Sequence, residues 1–136
     1  MNLLSSILLS ASGLTAQSER LKVISENLAN ADSTSQTPGG DPYRRKMVSF
    51  QDTLDHQLGG DKVSLGPVAY DQTPFELKYD PQNPGANAQG YVKMPNVNTM
   101  IEMADMREAE NSYQANLSAI DAAKNMLMQT VGLLST

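Results

Sequence analysis

The sequence predicts a mainly α-helical protein with a small β or extended insertion, its long N- and C-terminal helices forming an antiparallel coiled-coil-like pair. Three observations carry the prediction. A heptad of mostly apolar and small residues runs through positions 4–31, and a longer heptad runs through positions 103–134. Between them lies a stretch dense in Gly, Pro and Asn, where short alternating runs replace helical spacing.

The first heptad places Leu4, Ala11, Ser18 and Ser25 on one set of positions and Ile7, Leu14, Leu21 and Leu28 on the other. No Pro interrupts it, and Gly13 is its one weak helix former. In the second, Met103, Glu110, Leu117, Lys124 and Val131 alternate with Met106, Tyr113, Ile120, Leu127 and Leu134. Pro95 followed by Asn96 or Asn98 offers an N-cap for that helix. At 1.5 Å per residue the two helices would be ~42 Å and ~57 Å long.

Four segments follow from these patterns: a helix over 1–31, a polar loop with a basic cluster over 32–46, a small β-hairpin or extended middle region over 47–95, and a second helix over 96–136. In the middle region "KVSLGPVAY" alternates through Val63 and Leu65, breaks at Gly-Pro, and resumes with Val68 and Tyr70. "FELKY" places Phe75, Leu77 and Tyr79 on one face, and "DPQNPGANAQG" reads as loop.

The helices are not expected to form a self-sufficient two-helix coil. Their flanking positions are apolar rather than charged: Leu3, Leu8, Ile24 and Ala29 in the first, Ala109, Ala123 and Met128 in the second. Two helices alone would leave those flanks in water, so further helices are needed to cover them. Aligned termini would set Ser18 against Ile120 and Ser25 against Tyr113, small against large. The same register puts Leu14 against Lys124 and Leu28 against Glu110, where a charge on the seam needs a partner from another chain. The helices are therefore expected to order fully on assembly.

Composition narrows the function. The chain has 136 residues, no Trp, no Cys and a net charge of −5. A negative chain is a poor fit to nucleic acid, and the lack of Cys excludes disulfides and thiolate chemistry. The N-terminal apolar run is broken by Ser5 and Ser6, and the first basic residue is Arg20, so it does not fit a cleavable secretory signal. Export by a route that retains the N-terminus is the expectation. His56, the only histidine, lies near Asp52, Asp55 and Asp61, but no second His or Cys supports a metal or acid–base centre. No phosphate-binding loop or nucleophile elbow is present. No enzyme, cofactor, metal or small-molecule substrate is expected. A structural helical subunit is favoured over a coiled-coil adapter or effector. A membrane-surface binder is disfavoured because "LLSSILLSASGL" has no basic face.

"ENLANADST" at 26–34 resembles the N-terminal signature of bacterial flagellar axial proteins, the rod and hook family. "GGDPYRRK" at 39–46 and "GYVKMPNV" at 90–97, running into "EMADMREAENSYQANLSAIDAAKNMLMQTVGLL", narrow the resemblance to the proximal-rod members. It spans essentially the whole chain. The resemblance implies a subunit exported by the flagellar type III apparatus and assembled helically into the hollow basal-body rod crossing the periplasm. Its partners would be copies of itself, other rod proteins, the export apparatus and membrane-ring or base proteins. The two helices would form the inner core, with Leu4, Ile7, Leu14, Leu21, Leu28, Met103, Met106, Tyr113, Leu117, Ile120, Leu127, Val131 and Leu134 packing between subunits. Asn27, Leu28, Ala29 and Asn30 carry the family motif, and Asn27 and Asn30 can bond local backbone to end the first helix. Gly39, Gly40, Tyr43, Arg44, Arg45 and Lys46 would form an inter-subunit loop, its basic residues meeting Glu102, Asp105 and Glu108 of a neighbouring chain.

Overall fold

The computed structural model describes residues 3–55 and 60–134, so His56 lies outside the described residues. Two long helices, α1 (Leu3–Ala29) and α2 (Thr99–Leu134), enclose six short strands in the chain order. The strands are β1 (Lys46–Met47), β2 (Phe50–Asp55), β3 (Gly60–Leu65), β4 (Ala69–Tyr70), β5 (Glu76–Tyr79) and β6 (Tyr91–Met94). They form three two-stranded antiparallel ladders, β1 with β4, β2 with β3, and β5 with β6. The predicted break at Gly66–Pro67 separates β3 from β4, because Pro67 has no N–H to give to a ladder. None of the described helices is long and apolar enough to cross a membrane.

The chain divides into two compact units. The first combines Met1–Leu21, Ser49–Pro67 and Arg107–Thr136; the second combines Lys22–Val48 and Val68–Met106. Each long helix thus contributes one end to each unit, and the middle of the chain is shared between them.

In the first unit α1 and α2 run antiparallel. A Cβ built on Gly13 would lie 2.8 Å from Asn116 Nδ2, and Arg20 Nη2 stands 3.4 Å from Glu108 Oε2. This corrects the register drawn from aligned termini: residue 116 faces Gly13 where residue 125 was expected, a slip of about nine residues or ~14 Å. The faces differ as well. Leu4 is 60% exposed and Ser18 and Ser25 are exposed, whereas Ser5, Ser12 and Ala16 of α1 and Ala109 and Ala123 of α2 are buried. Glu110 and Lys124, expected on the seam, are exposed, which removes the difficulty of charges packed against leucine.

The physical reason lies in the composition of α1. Leucine and isoleucine occur all around its first four turns, so apolar periodicity does not choose a face. Small residues mark the buried positions instead: Ser5, Ser12 and Ala16 are buried, and Ser12 and Ala16 line a pocket with Lys62–Leu65 of β3. Gly13, a weak point by propensity, is where the Asn116 side chain enters.

The second unit holds the larger core residues. Val23, Ile24 and Ala31 are buried at the end of α1, and Val92 on β6 is 2% exposed. Tyr79 and Tyr91 face each other across the β5–β6 ladder, ring centroids 5.3 Å apart in an edge-to-face contact. The loop after α1 is pinned to the loop between β5 and β6. Gly39 N–H donates to the Gly85 carbonyl at 3.1 Å, and Thr34 Oγ1 lies 3.4 Å from Asn83 Nδ2. Gly39 has φ of 70°, a conformation that glycine alone adopts without penalty. Gly85 is buried against the Ser35 carbonyl, with no room for a Cβ.

Substituting Gly85→Ala should therefore destabilise the second unit by about 1–3 kcal/mol, since the new methyl meets backbone rather than a movable side chain. Urea unfolding of the purified chain checks this; a variant as stable as the parent would show that the two loops are not docked as described.

Candidate functional site

The most organised polar site among the described residues surrounds Asn27, at the junction of α1, the basic segment 43–46 and the start of α2. Asn27 is 1% exposed and uses its whole hydrogen-bonding capacity. Its Nδ2 donates to the Lys46 carbonyl at 2.8 Å and to Glu102 Oε2 at 3.1 Å. Its Oδ1 accepts the Tyr43 hydroxyl at 2.9 Å and the Lys46 N–H at 2.9 Å. Asn27 therefore reaches across to other segments rather than ending its own helix. That local role falls to Asn30, whose Nδ2 donates to the Glu26 carbonyl at 2.8 Å while its Oδ1 accepts from Ser33 Oγ at 3.2 Å. Of the other motif residues, Leu28 is half-buried and Ala29 exposed.

Glu102 is the second centre, also 1% exposed. Its Oε1 accepts from Arg45 Nε at 2.6 Å, so the buried carboxylate carries a charge-assisted bond on one oxygen and an amide bond on the other. Arg45 also lies 3.7 Å from Asp71 Oδ2 and 3.7 Å from Asp105 Oδ2. Burial works against the Arg45 charge, but the Glu102 hydrogen bond and the charges of Glu102, Asp71 and Asp105 outweigh it and hold its pKa above the ordinary guanidinium value. The acidic start of α2 that Arg45 meets is its own chain's, which corrects the expectation of a neighbour's Glu102 and Asp105. Glu108 pairs with Arg20 instead.

The rest of the basic cluster is also engaged within the chain. Arg44 stacks over the Phe75 ring at 4.3 Å and donates from Nη1 to the Asp71 carbonyl at 2.9 Å. Lys46 Nζ bonds Glu26 Oε2 at 2.9 Å, and that bond lowers the Glu26 pKa. Asn96, one of two residues considered for a cap, takes a different role. Its Oδ1 accepts the Arg45 N–H at 2.8 Å, and its Nδ2 donates to the Asp71 carbonyl at 3.1 Å. The cap is Asn98, whose Oδ1 accepts the N–H groups of Met100 and Ile101 at 3.0 and 3.3 Å.

Asp71 is a member of the site that the sequence did not single out, and Asn96 was marked only as a possible cap. Asp71 follows β4 in an Asp-x-Thr turn, where its carboxylate accepts from the Thr73 hydroxyl and from the Thr73 N–H. Those bonds, then Arg45, lower its pKa. The Asx-turn pattern was a readable signal for the turn, though not for the distant Arg45. Chemically the site is a clasp, in which the donors of Asn27, Arg45 and Lys46 face acceptors on other segments of the chain.

Asn27→Leu should cost about 3–5 kcal/mol, because it leaves the buried Glu102 oxygen, the Tyr43 hydroxyl and both Lys46 backbone groups short of partners. Tyr43→Phe removes one of those bonds and should cost about 1 kcal/mol. Denaturant unfolding measures both, and equal effects would contradict a centre at Asn27. Glu26 and Asp71 have folded pKa values below their ordinary 4.5 and 3.8. Their stabilising contribution is thus complete above those values and lost as pH falls through the lower folded ones. The melting temperature should be level from neutral pH to about 5 and then drop, and Lys46→Met should soften the drop.

Residues 7–35 match the family model described as flagella basal body rod protein, and residues 88–133 match that described as flagellar basal body rod FlgEFG protein C-terminal. The Asn27–Glu102 hydrogen bond joins one matched segment to the other. The chain is 52% identical over 126 residues to the flagellar basal-body rod protein FlgC of Agrobacterium fabrum, covering 93% of this chain and 91% of that protein. It is 44% identical over 133 residues to the FlgC of Escherichia coli O157:H7, covering 98% of each. Against the FlgC of Bacillus subtilis it is 43% identical over 141 residues, covering 93% and 94%. The chain belongs to the FlgC family of flagellar basal-body rod proteins.

Proposed function

We propose that this chain is a non-enzymatic structural subunit of the proximal rod, exported by the flagellar type III apparatus and polymerised helically into the hollow shaft that transmits torque across the periplasm. α1 and α2 form its inner layer. Its partners are copies of itself, other rod proteins, the export apparatus and the proteins of the membrane-ring base.

One observation supports this reading above the others: large apolar side chains remain in water along both helices. Leu4 is 60% exposed, Met103 50%, Met126 48%, Met128 65% and Val131 64%. A helix that exposes such a row is stable in solution only if something covers it. The heptads containing Leu4, Ile7, Leu14, Leu21 and Leu28, and Met103, Met106, Tyr113, Leu117, Ile120, Leu127, Val131 and Leu134, are then coiled-coil-like seams completed between subunits, while the small-residue faces are used inside one. Gly39, Gly40 and Tyr43–Lys46 hold the loop in shape for a neighbour, with Arg45 already committed to its own Glu102.

Val131→Glu tests this directly. In the free chain it should change stability by no more than about 0.5 kcal/mol, as surface substitutions do. In cells it should abolish incorporation into basal bodies and swimming, because a charge would be buried at a subunit contact. Normal motility with the variant as the sole copy would contradict the proposal.

A further inference from the structure

The β5–β6 ladder has two strands, so the outer edge of β5 carries no neighbouring strand. All four residues of β5 are exposed, Leu77 at 61% and Tyr79 at 64%. The phase of the ladder fixes which backbone groups point to that edge. Asp80 N–H donates to the Gly90 carbonyl, and opposed pairs of an antiparallel ladder alternate between bonded and non-bonded. Lys78–Val92 and Glu76–Met94 are then the bonded pairs. Leu77 and Tyr79 turn their N–H and C=O groups away from β6. Tyr91 does the same on the far side of the ladder, where Asn87 takes up both of its groups. Among the described residues nothing takes up those of Leu77 and Tyr79.

An open strand edge beside exposed apolar side chains is a template for another strand. The sequence here, Phe75-Glu76-Leu77-Lys78-Tyr79, complements itself when reversed. Laid antiparallel on a second copy with Leu77 opposite Leu77, it sets Glu76 against Lys78 and Phe75 against Tyr79, each pairing occurring twice. Leu77 and Tyr79 then fall in hydrogen-bonded pairs, as their outward backbone groups require. Glu76 and Lys78 fall in non-bonded pairs, where opposed side chains stand closest. The next registers of the same phase put Glu76 against Glu76 or Lys78 against Lys78, so charge selects one alignment. On the apolar face the two Leu77 side chains meet, flanked by Tyr79 rings that are each held edge-to-face by their own Tyr91.

We propose that β5 pairs with β5 of a second copy of this chain, antiparallel about a two-fold axis at Leu77, joining the two ladders into one four-stranded sheet. Both copies use the same patch, so the contact closes at a dimer. Its consequence rests on the rod-subunit reading. A rod whose copies all point one way has no such two-fold axis, so the dimer is a state of the unassembled chain and withdraws subunits from polymerisation.

The test uses full chains carrying Val131→Glu, so that assembly through the helices does not mask the pairing. Sedimentation should show a monomer–dimer equilibrium that goes no further. Glu76→Lys and Lys78→Glu should each weaken it by roughly ten- to hundredfold, because both cross-strand pairs become like charges. Mixed in equal amounts, the two variants should recover the parent's association as a heterodimer, since each opposes the charges of the other. Leu77→Cys, in a chain with no other Cys, should oxidise to a symmetric disulfide. A monomer at every concentration, association of the single variants equal to the parent's, or no recovery on mixing would each overturn the pairing. Swimming of cells carrying Val131→Glu alone judges the rod-subunit reading, and that result leaves this contact untouched.

Discussion

A single buried amide sets the constraint that the second unit obeys. Asn27 has two donors and two acceptor sites, and all four are used on two other segments of the chain, residues 43–46 and the start of α2. Its position near the end of α1 brings residues 43–46 against that helix, and through Glu102 it fixes the first turn of α2 as well. A leucine in the same place would pack but would specify nothing about which atoms meet. The amide costs free energy unless every bond is made, so one arrangement of three segments is stable and near alternatives are not. Glu102 extends the same logic with a charge: its Arg45 bond at 2.6 Å offsets the burial of the carboxylate only while the Arg45 backbone is held by Asn96.

The two units differ in how much of their stabilisation is internal. The second has a polar clasp, pinned loops and buried Val23, Ile24 and Val92. The first fully buries only small residues, Ser5, Ser12, Ala16, Ala109 and Ala123, and leaves Leu4, Leu8, Met126, Met128 and Val131 exposed. That division suits a subunit that must be specific by itself in one region and remain incomplete in the other. An early, self-sufficient first unit would have no reason to bind neighbours. An unspecified second unit would present those neighbours with a variable surface.

Much of this was readable from the sequence. Both helices, the strand break at Gly66–Pro67 and the loop character of the 80–90 stretch follow from periodicity and turn chemistry, which act locally. The face that each helix buries did not follow, because leucine and isoleucine lie all round the first four turns of α1 and do not choose a face. Ile24, Ala109 and Ala123, placed on the flanks by the heptad, are among the buried residues. The clasp was half legible. The motif marked Asn27 and the charge pattern marked Arg45 and Glu102 as an opposite-sign match, but sequence does not say whether such a match is within one chain or between two. The roles of Asp71 and Asn96 in the clasp depend on contacts 25 residues and more apart, and locally the two showed only a turn pattern and a possible cap.

Amide hydrogen exchange on the free chain, resolved by residue, is the measurement that distinguishes the two units. Protection reports local opening free energies, so it separates a self-stabilised region from one awaiting partners. The slowest exchange is expected around Val23–Asn27, Val92 and Glu102, and fast exchange through the first turns of α1 and the α2 stretch beyond about residue 124. Uniform protection along both helices, or slower exchange at the outer ends than around Asn27, would contradict it.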